Sequence, residues 1–342
     1  MELTNREQII LRSVIHSFII NAKPVGSTTV SKQNLLNLSP ASIRNTMADL
    51  ESLGLLEQPH TSAGRIPTDL GYRVFVDSLM EKSILSSRIK EYIDENLSES
   101  SSSLEEVLSR SSALLGRLSS LLGVVLSPKF EEGILQRIDL TRLSEDRLLV
   151  IIAIKSGLAK TIVLELNFKV EEEHLTETTA LLNQRLSGLN LRQIREEIGY
   201  RVREAASESN KDLLTLFVDN ADQVFYFKDK EDLYQTGLKA LLKQPEFEDS
   251  EKLRSVIELL EDRTVFVHLL KGAQSGEGVK ITIGSENFVR ESKDLTMIST
   301  AFKIGKNTGT ISIMGPTRME YSRIYSLVDY TAHSIEKCVD IS

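Results

Sequence analysis

The 342-residue chain has no tryptophan and a single cysteine, Cys338. One thiol cannot close an intramolecular disulfide, and it fits a reducing compartment such as the cytosol. No apolar run reaches the roughly 18 residues that a membrane-spanning helix needs. The first residues, MELTNREQIILRSV, include acids and show no small-residue cleavage site, which argues against a signal peptide. The histidines His16, His60, His174, His268 and His333 are scattered without ligand spacing, so no metal site is expected. A Ser-His-Asp motif, a P-loop, HExxH and GxGxxG are all missing, so neither catalytic residues nor a cofactor are expected. The glycine-containing piece SGEGVK around Gly276 reads as a hairpin turn.

Positive charge in excess is lacking too. The net charge is −8, and a basic domain would have pointed to nucleic acid more directly. Between Met1 and Met80, seven cations (Arg6, Arg12, Lys23, Lys32, Arg44, Arg65 and Arg73) balance seven acids, so this part is neutral. A neutral module can still bind DNA if its charges are sorted by face.

What is present is strong local patterning. From Thr4, a plausible N-cap, Ile10, Val14 and Phe18 fall at helical spacing. Lys23-Pro24-Val25-Gly26 breaks that helix, and Ser27 can cap a second, short one. Ser39 caps a third, with Pro40 at its favoured first position; Ile43, Met47 and Leu50 form its buried stripe and Gly54 ends it. Leu55 to Glu57 and Arg65-Ile66 read as strands around a polar turn, and Thr68 to Met80 as a further helix. The order helix, helix, helix, strand, turn, strand is that of a winged helix-turn-helix. In that arrangement Ala41, Ser42, Arg44 and Asn45 lie outward at the end of the third helix that enters a DNA major groove. Arg can bond guanine and Asn adenine in bidentate fashion. The loop from Gln58 to Arg65 is small, polar and cationic, and suits backbone phosphates. The candidate DNA-binding residues are Thr28, Lys32, Ser39, Ala41, Ser42, Arg44, Asn45, His60, Thr61, Ser62 and Arg65.

Beyond Met80, Ser98 to Ser103 (SESSSS) is linker-like, and an amphipathic helix is expected from Leu104 to about Leu122. Strands follow at Gly133 to Leu140, Arg147 to Ile154 and Thr161 to Leu166; the apolar run RLLVIIAI suggests a strand covered on both faces. Helical pattern occupies Glu171 to Leu186, Arg192 to Val218, Leu233 to Leu242 and Leu253 to Leu260. Alternation returns around Ile281 and Ile311, before a terminal helix. Strand clusters flanking a helical block predict an α+β, multidomain chain with an insertion.

The stretch SPASIRNTMADLESLGLLEQPHTSAGRIPTDLGYRVFVDSL resembles the DNA-binding segment of the HrcA family of heat-inducible transcription repressors. LYQTGLKALLKQPEFED, IGSEN and GPTRMEYSRI, from Leu233, Ile283 and Gly315 onward, extend the likeness over nearly the whole chain. The resemblance implies a winged helix-turn-helix, a GAF-like α/β domain and a mainly helical dimerisation domain inserted into it. The corresponding division is 1–85, 86–202 with the linker near 98–103, an insertion at 203–262, and 263–342. It implies a cytoplasmic homodimer that represses chaperone operons at an inverted-repeat operator in double-stranded DNA. It further implies dependence on a GroEL-type chaperonin, which heat diverts to unfolded chains. Ile43, Arg44 and Asn45 fall on the family's reading motif, and His60 to Arg65 on its wing. Thr46 stands where related chains often have an acid. An alternative is a small-molecule sensor whose GAF-like domain switches DNA affinity.

Overall fold

The computed structural model describes residues 3–33, 38–60, 63–98, 104–128, 133–155, 159–203, 210–225, 233–272, 278–305 and 307–340. The chain is α+β. Its N-terminal unit opens with α1 (Asn5–Asn21), whose stripe Ile10, Leu11, Val14 and Ile15 is buried. Then come α2 (Ser27–Lys32), α3 (Pro40–Ser52) and the antiparallel pair β1 (Leu56–Glu57) and β2 (Ile66–Pro67). The helix expected from Thr68 to Met80 is α4 (Asp69–Val74), capped by Thr68, continued by a wider π-helical turn over Phe75–Leu79.

A segment without regular secondary structure, residues 80–86, leads to α5 (Ser87–Ser98) and α6 (Leu104–Ser119). Most of the expected linker, residues 99–103, lies outside the described residues. The amphipathic pattern of α6 stops at Ser119, and the apolar run after it is a strand, β3 (Leu122–Leu126), every residue of which is buried. The chain then forms β4 (Leu135–Ser144), β5 (Arg147–Ile154), β6 (Ala159–Glu165), α7 (Glu172–Leu186), α8 (Leu191–Arg203), α9 (Lys211–Asp219) and α10 (Ala221–Phe225). It continues through β7 (Leu233–Thr236), α11 (Leu238–Leu241), α12 (Ser250–Glu261), α13 (Arg263–Lys271), β8 (Lys280–Ile283), β9 (Leu295–Ile304), β10 (Asn307–Pro316) and α14 (Tyr321–Asp340).

Two sheets divide this body. One has five strands in the order β7-β3-β10-β9-β8, all antiparallel; the other is the meander β4-β5-β6. The buried apolar residues divide the same way. Leu135 to Phe225 form one core, while the N-terminal unit and the five-stranded sheet with its helices share another. The chain thus leaves the central sheet after β3 and re-enters it at β7. This partition departs from the expected boundaries, which put β4–β6 with the central sheet and the insertion at 203–262. Two strands explain the difference. Leu122–Leu126 reads as the end of a helix, and Leu233–Thr236 as the start of one, yet Val124 pairs with Gln235 and Ser312 to make them neighbours in one sheet. Alternation within β5 also differs from expectation. Leu148, Val150, Ile152 and Ile154 are buried against α7–α10's core, while Leu149, Ile151 and Ala153 on the opposite face are half-exposed.

Candidate nucleic-acid interface

The local sequence builds α3 from its first turn. Ser39 Oγ accepts the Ser42 N–H at 3.2 Å, and Pro40 occupies a position whose missing donor has no helical partner. Ile43, Thr46, Met47 and Leu50 turn into the core. The helical period then leaves Ala41, Arg44 and Asn45 exposed. Neither Arg44 nor Asn45 makes a side-chain hydrogen bond or ion pair with the described residues. Thr46 is 3% exposed and its hydroxyl donates to the Ser42 carbonyl at 3.3 Å, so the position that departs from the family pattern faces the core.

One residue of this site escapes the sequence reading. Arg6, on α1, donates through Nη2 to the Ser42 carbonyl at 2.6 Å and to Ser42 Oγ at 2.9 Å. A capping box fixes the turn that presents it: Thr4 N–H donates to Glu7 Oε2 at 2.7 Å, and Glu7 N–H to Thr4 Oγ1 at 3.3 Å. The Thr4 side-chain and backbone hydrogen bonds hold the Glu7 carboxyl below its usual value. Because Ser42 Oγ accepts from Arg6, its own proton remains available to donate. Arg6 and Arg44 sit at the N-terminal end of α3, whose first turn has no acid, while Asp49 and Glu51 lie in its C-terminal half. Charge is therefore sorted along α3 although the unit is neutral in sum, and the helix dipole has the same sign as the cations. Only the 36-residue separation of Arg6 and Ser42 hid this contact.

The hairpin is fastened to the rest of the unit. Val25 and Arg65 exchange two backbone hydrogen bonds, each 2.9 Å, adding a bridge beside β1 and β2. Gly64 allows that approach: a Cβ there would lie 2.4 Å from the Val25 carbonyl carbon and oxygen. Gln58 Nε2 donates to the Ala63 carbonyl at 2.9 Å and Ala63 N–H to the His60 carbonyl at 2.8 Å, folding the loop back on itself. His60 is exposed; Thr61 and Ser62 lie outside the described residues. Arg65, the expected phosphate cation, is instead 18% exposed and binds Glu51 Oε2 through Nε at 2.9 Å and Nη2 at 2.8 Å. It joins the hairpin to α3. Thr28 and Lys32 are exposed on α2, which packs against α3. The structure thus gathers Ser39, Ala41, Ser42, Arg44 and Asn45 at one helix end, adds Arg6, and engages Arg65 with a carboxylate.

Among the described residues no three His, Cys, Asp or Glu side chains gather to hold a metal ion, and no helix is long and apolar enough to cross a membrane.

Comparison with known proteins gives this geometry its setting. Residues 105–325 match the model of the HrcA protein C terminal domain. The chain is 38% identical over 342 residues to the heat-inducible transcription repressor HrcA of Chlorobium phaeobacteroides (strain BS1), covering 97% of each. It is 40% identical over 350 residues to the protein of that name from Chlorobaculum parvum, covering 99% of this chain and 98% of the relative. The crystal structure of a hypothetical protein at 2.2 Å resolution shares the fold, with a TM-score of 0.68 and 23% identity over 99% of both chains. The chain belongs to the HrcA family of heat-inducible transcription repressors.

Proposed function

We propose that this repressor binds an inverted-repeat operator in double-stranded DNA as a homodimer, each protomer laying the N-terminal half of α3 in the major groove. In this reading the N-terminal unit is a winged helix-turn-helix, with α2 and α3 as the motif and the β1–β2 hairpin as the wing. The five-stranded sheet and its helices are the GAF-like part, and residues 133–225 are the inserted, dimerising part. The observation that carries the reading is the pair Arg44 and Asn45, exposed and unpartnered among the described residues on a helix whose other face is packed. Exposed donors held in fixed register, with no protein acceptor, suit the acceptor-rich edges of guanine and adenine. Ser42 can offer its proton to a further acceptor, and Arg6 a charge to the adjoining phosphate. No catalytic step is assigned.

A second copy fits the outer face of the β4–β6 sheet. Leu149, Ile151 and Ala153 are half-exposed there, and Val163 beside them is 44% exposed. Covering such a face removes apolar area from water, and two-fold symmetry of the protein matches that of an inverted repeat. Family membership motivates the chaperonin as the other partner: a GroEL-type chaperonin should raise the fraction of chains able to bind operator. An unchanged fraction at saturating chaperonin removes it. Action at an operator is in keeping with a cytoplasmic protein.

The deciding experiment is selection of bound fragments from random duplex DNA. A two-fold symmetric motif is expected; an enriched pool without one overturns the reading. One observation favours the sensor alternative. Ser299 Oγ and Thr310 Oγ1, fully buried and without a hydrogen-bond partner among the described residues, lie on one face of the central sheet, since Ser299 pairs with Ser312. A small polar effector would satisfy them. A thermal-shift screen of metabolites separates the readings: a stabilising ligand that also changes operator affinity supports the sensor.

A further inference from the structure

The family-like stretches outside the reading helix play no part in the site above. They are far apart in sequence, yet they meet at one junction between the N-terminal unit and the central sheet. Asp69, in the first turn of α4, accepts the Ser285 N–H and hydroxyl, both at 2.9 Å. Gly284 makes room for this: its φ is +52°, and a Cβ would fall 2.2 Å from the Asp69 carboxylate. Arg73 Nε donates to Glu286 Oε1 at 2.7 Å, and Nη2 both to the Ile281 carbonyl at 2.7 Å and to Glu286 Oε2. Its Nη1 donates to Asp77 at 3.0 Å. Burial acts to raise the Glu286 carboxyl, but the Arg73 hydrogen bonds and the Ile283 N–H outweigh it and hold the group below its usual value.

A second clamp lies at the far end of α1. Arg318, 11% exposed, donates through Nε to Glu246 Oε1 at 2.5 Å and through Nη2 to Glu246 Oε2 at 3.1 Å and Gln244 Oε1 at 3.2 Å. Its Nη1 reaches across to the Ile19 carbonyl at 2.7 Å. Ile19 belongs to the last turn of α1, where carbonyls lack helical partners and no basic residue of the helix itself is present. Between the clamps, Tyr72 and Tyr321 pack with ring centroids 5.5 Å apart and planes tilted by 42°, and Phe75 meets Tyr321 edge-on at 6.5 Å. The connecting segment is tied down as well: Ser322 and Ser326, on α14, donate to the Glu81 and Ser83 carbonyls.

Bidentate arginine contacts fix direction as well as distance. Here they act at two separated points, Arg73 beside α4 and Arg318 at the end of α1, with aromatic packing between. Two points of attachment prevent the unit from pivoting about either one. We propose that this junction is a positioning device, which sets the angle at which each protomer presents α3 and thereby the half-site spacing that the dimer accepts. The inference rests on the operator reading above. Two half-sites are engaged together only if both reading helices face the duplex in register with its turn, and the gain from the second contact vanishes when the linkage cannot hold that geometry.

The test uses the full chain and three kinds of duplex: a single half-site, the selected inverted repeat, and repeats whose spacer is altered by about half a helical turn. The variants are Glu286→Gln, which keeps the shape and removes the charge, and Arg318→Ala. Both should bind the single half-site within about twofold of the parent, and lose about tenfold of the preference for the native spacer. Unchanged spacer preference in variants that remain folded overturns the proposal. So does a parallel fall in half-site and full-site binding, since the residues would then act on the reading face itself. If either variant fails to fold, the exchange Arg73→Glu with Glu286→Arg decides: restored spacer preference supports the device, and a folded exchange indifferent to spacer overturns it. A parent chain with no preference for an inverted repeat over random duplex fails the operator reading first, and is thereby distinguishable.

Discussion

Arg44 and Arg73 belong to the same N-terminal unit and carry the same charge, yet their surroundings are opposite. Arg73 has its guanidinium engaged with Glu286, Asp77 and the Ile281 carbonyl. Arg44, on the exposed side of α3, engages none of the described residues. Arg65 stands between them: it is on the expected wing, but Glu51 holds it. A donor left unpaired in a fixed position is open to an external acceptor, whereas a donor already paired within the fold sets geometry. The type of residue does not separate these roles; the presence of an internal partner does.

The largest effect expected is at Arg44. Arg44→Ala should lower operator affinity by about ten- to a hundredfold per half-site and relax preference at one base pair, as for loss of a bidentate guanine contact. Titrations against operator, single-base variants and random duplex check this. Equal weakening on every duplex would make Arg44 a phosphate contact and move base reading to Ser42 or Asn45.

Gly64→Ala sharpens the comparison from the structural side. Its Cβ would clash with the Val25 backbone, so a destabilisation of about 1–3 kcal/mol is expected, as for other overpacked sites. Thermal unfolding measures it, and binding to all duplexes should fall together once the hairpin is displaced.

Arg6 and Arg65 provide a direct contrast between a cation held by neutral oxygens, which keeps its charge, and one paired with a carboxylate. Arg6→Ala should weaken operator and random DNA alike and reduce the salt slope by roughly one unit. Arg65→Ala should leave the slope close to that of the parent and cost about 0–1 kcal/mol of stability, in keeping with a partly exposed ion pair. The reverse ranking of the two slopes would show that Arg65 leaves Glu51 to meet the phosphate.

Acidification should act on the junction through Glu286. The Glu286 carboxyl is depressed in the fold, so its contribution is complete above its ordinary value of 4.5 and is lost as pH falls through the lower folded value. Below pH 4.5 the stability of the parent should therefore decline more steeply than that of Glu286→Gln, which pH-dependent melts can compare. The smallest effect is expected at Tyr72. Its buried hydroxyl has no partner among the described residues, and removing an unsatisfied group is near neutral or stabilising by about 1 kcal/mol. A clear loss of stability in Tyr72→Phe would mean that the hydroxyl is satisfied in solution.

Some of this was legible in the residues alone. Helix α3 is local: Ser39 and Pro40 start it, and the spacing of Ile43, Met47 and Leu50 decides which side is buried and therefore that Arg44 is not. Short-range turns, caps and hairpins depend on neighbours a few residues away, and a linear reading sees those neighbours. LLGVVL and LYQT were not legible as strands, because a short apolar run or a few residues at helical spacing suit either state until a partner is known. Their pairing with each other and with β10 puts both in the central sheet.

What the sequence by itself determined was therefore the order of elements in the N-terminal unit, the buried stripe of α3 and the outward Arg44 and Asn45. Tertiary structure alone decided which charged groups were already occupied. Arg6 meets Ser42 across 36 residues, Arg65 meets Glu51 across 14, and Arg73 meets Glu286 across 213. A helical period is set by the backbone within one turn, whereas the pairing of a charge is set by whichever distant segment packing brings within about 3 Å of it.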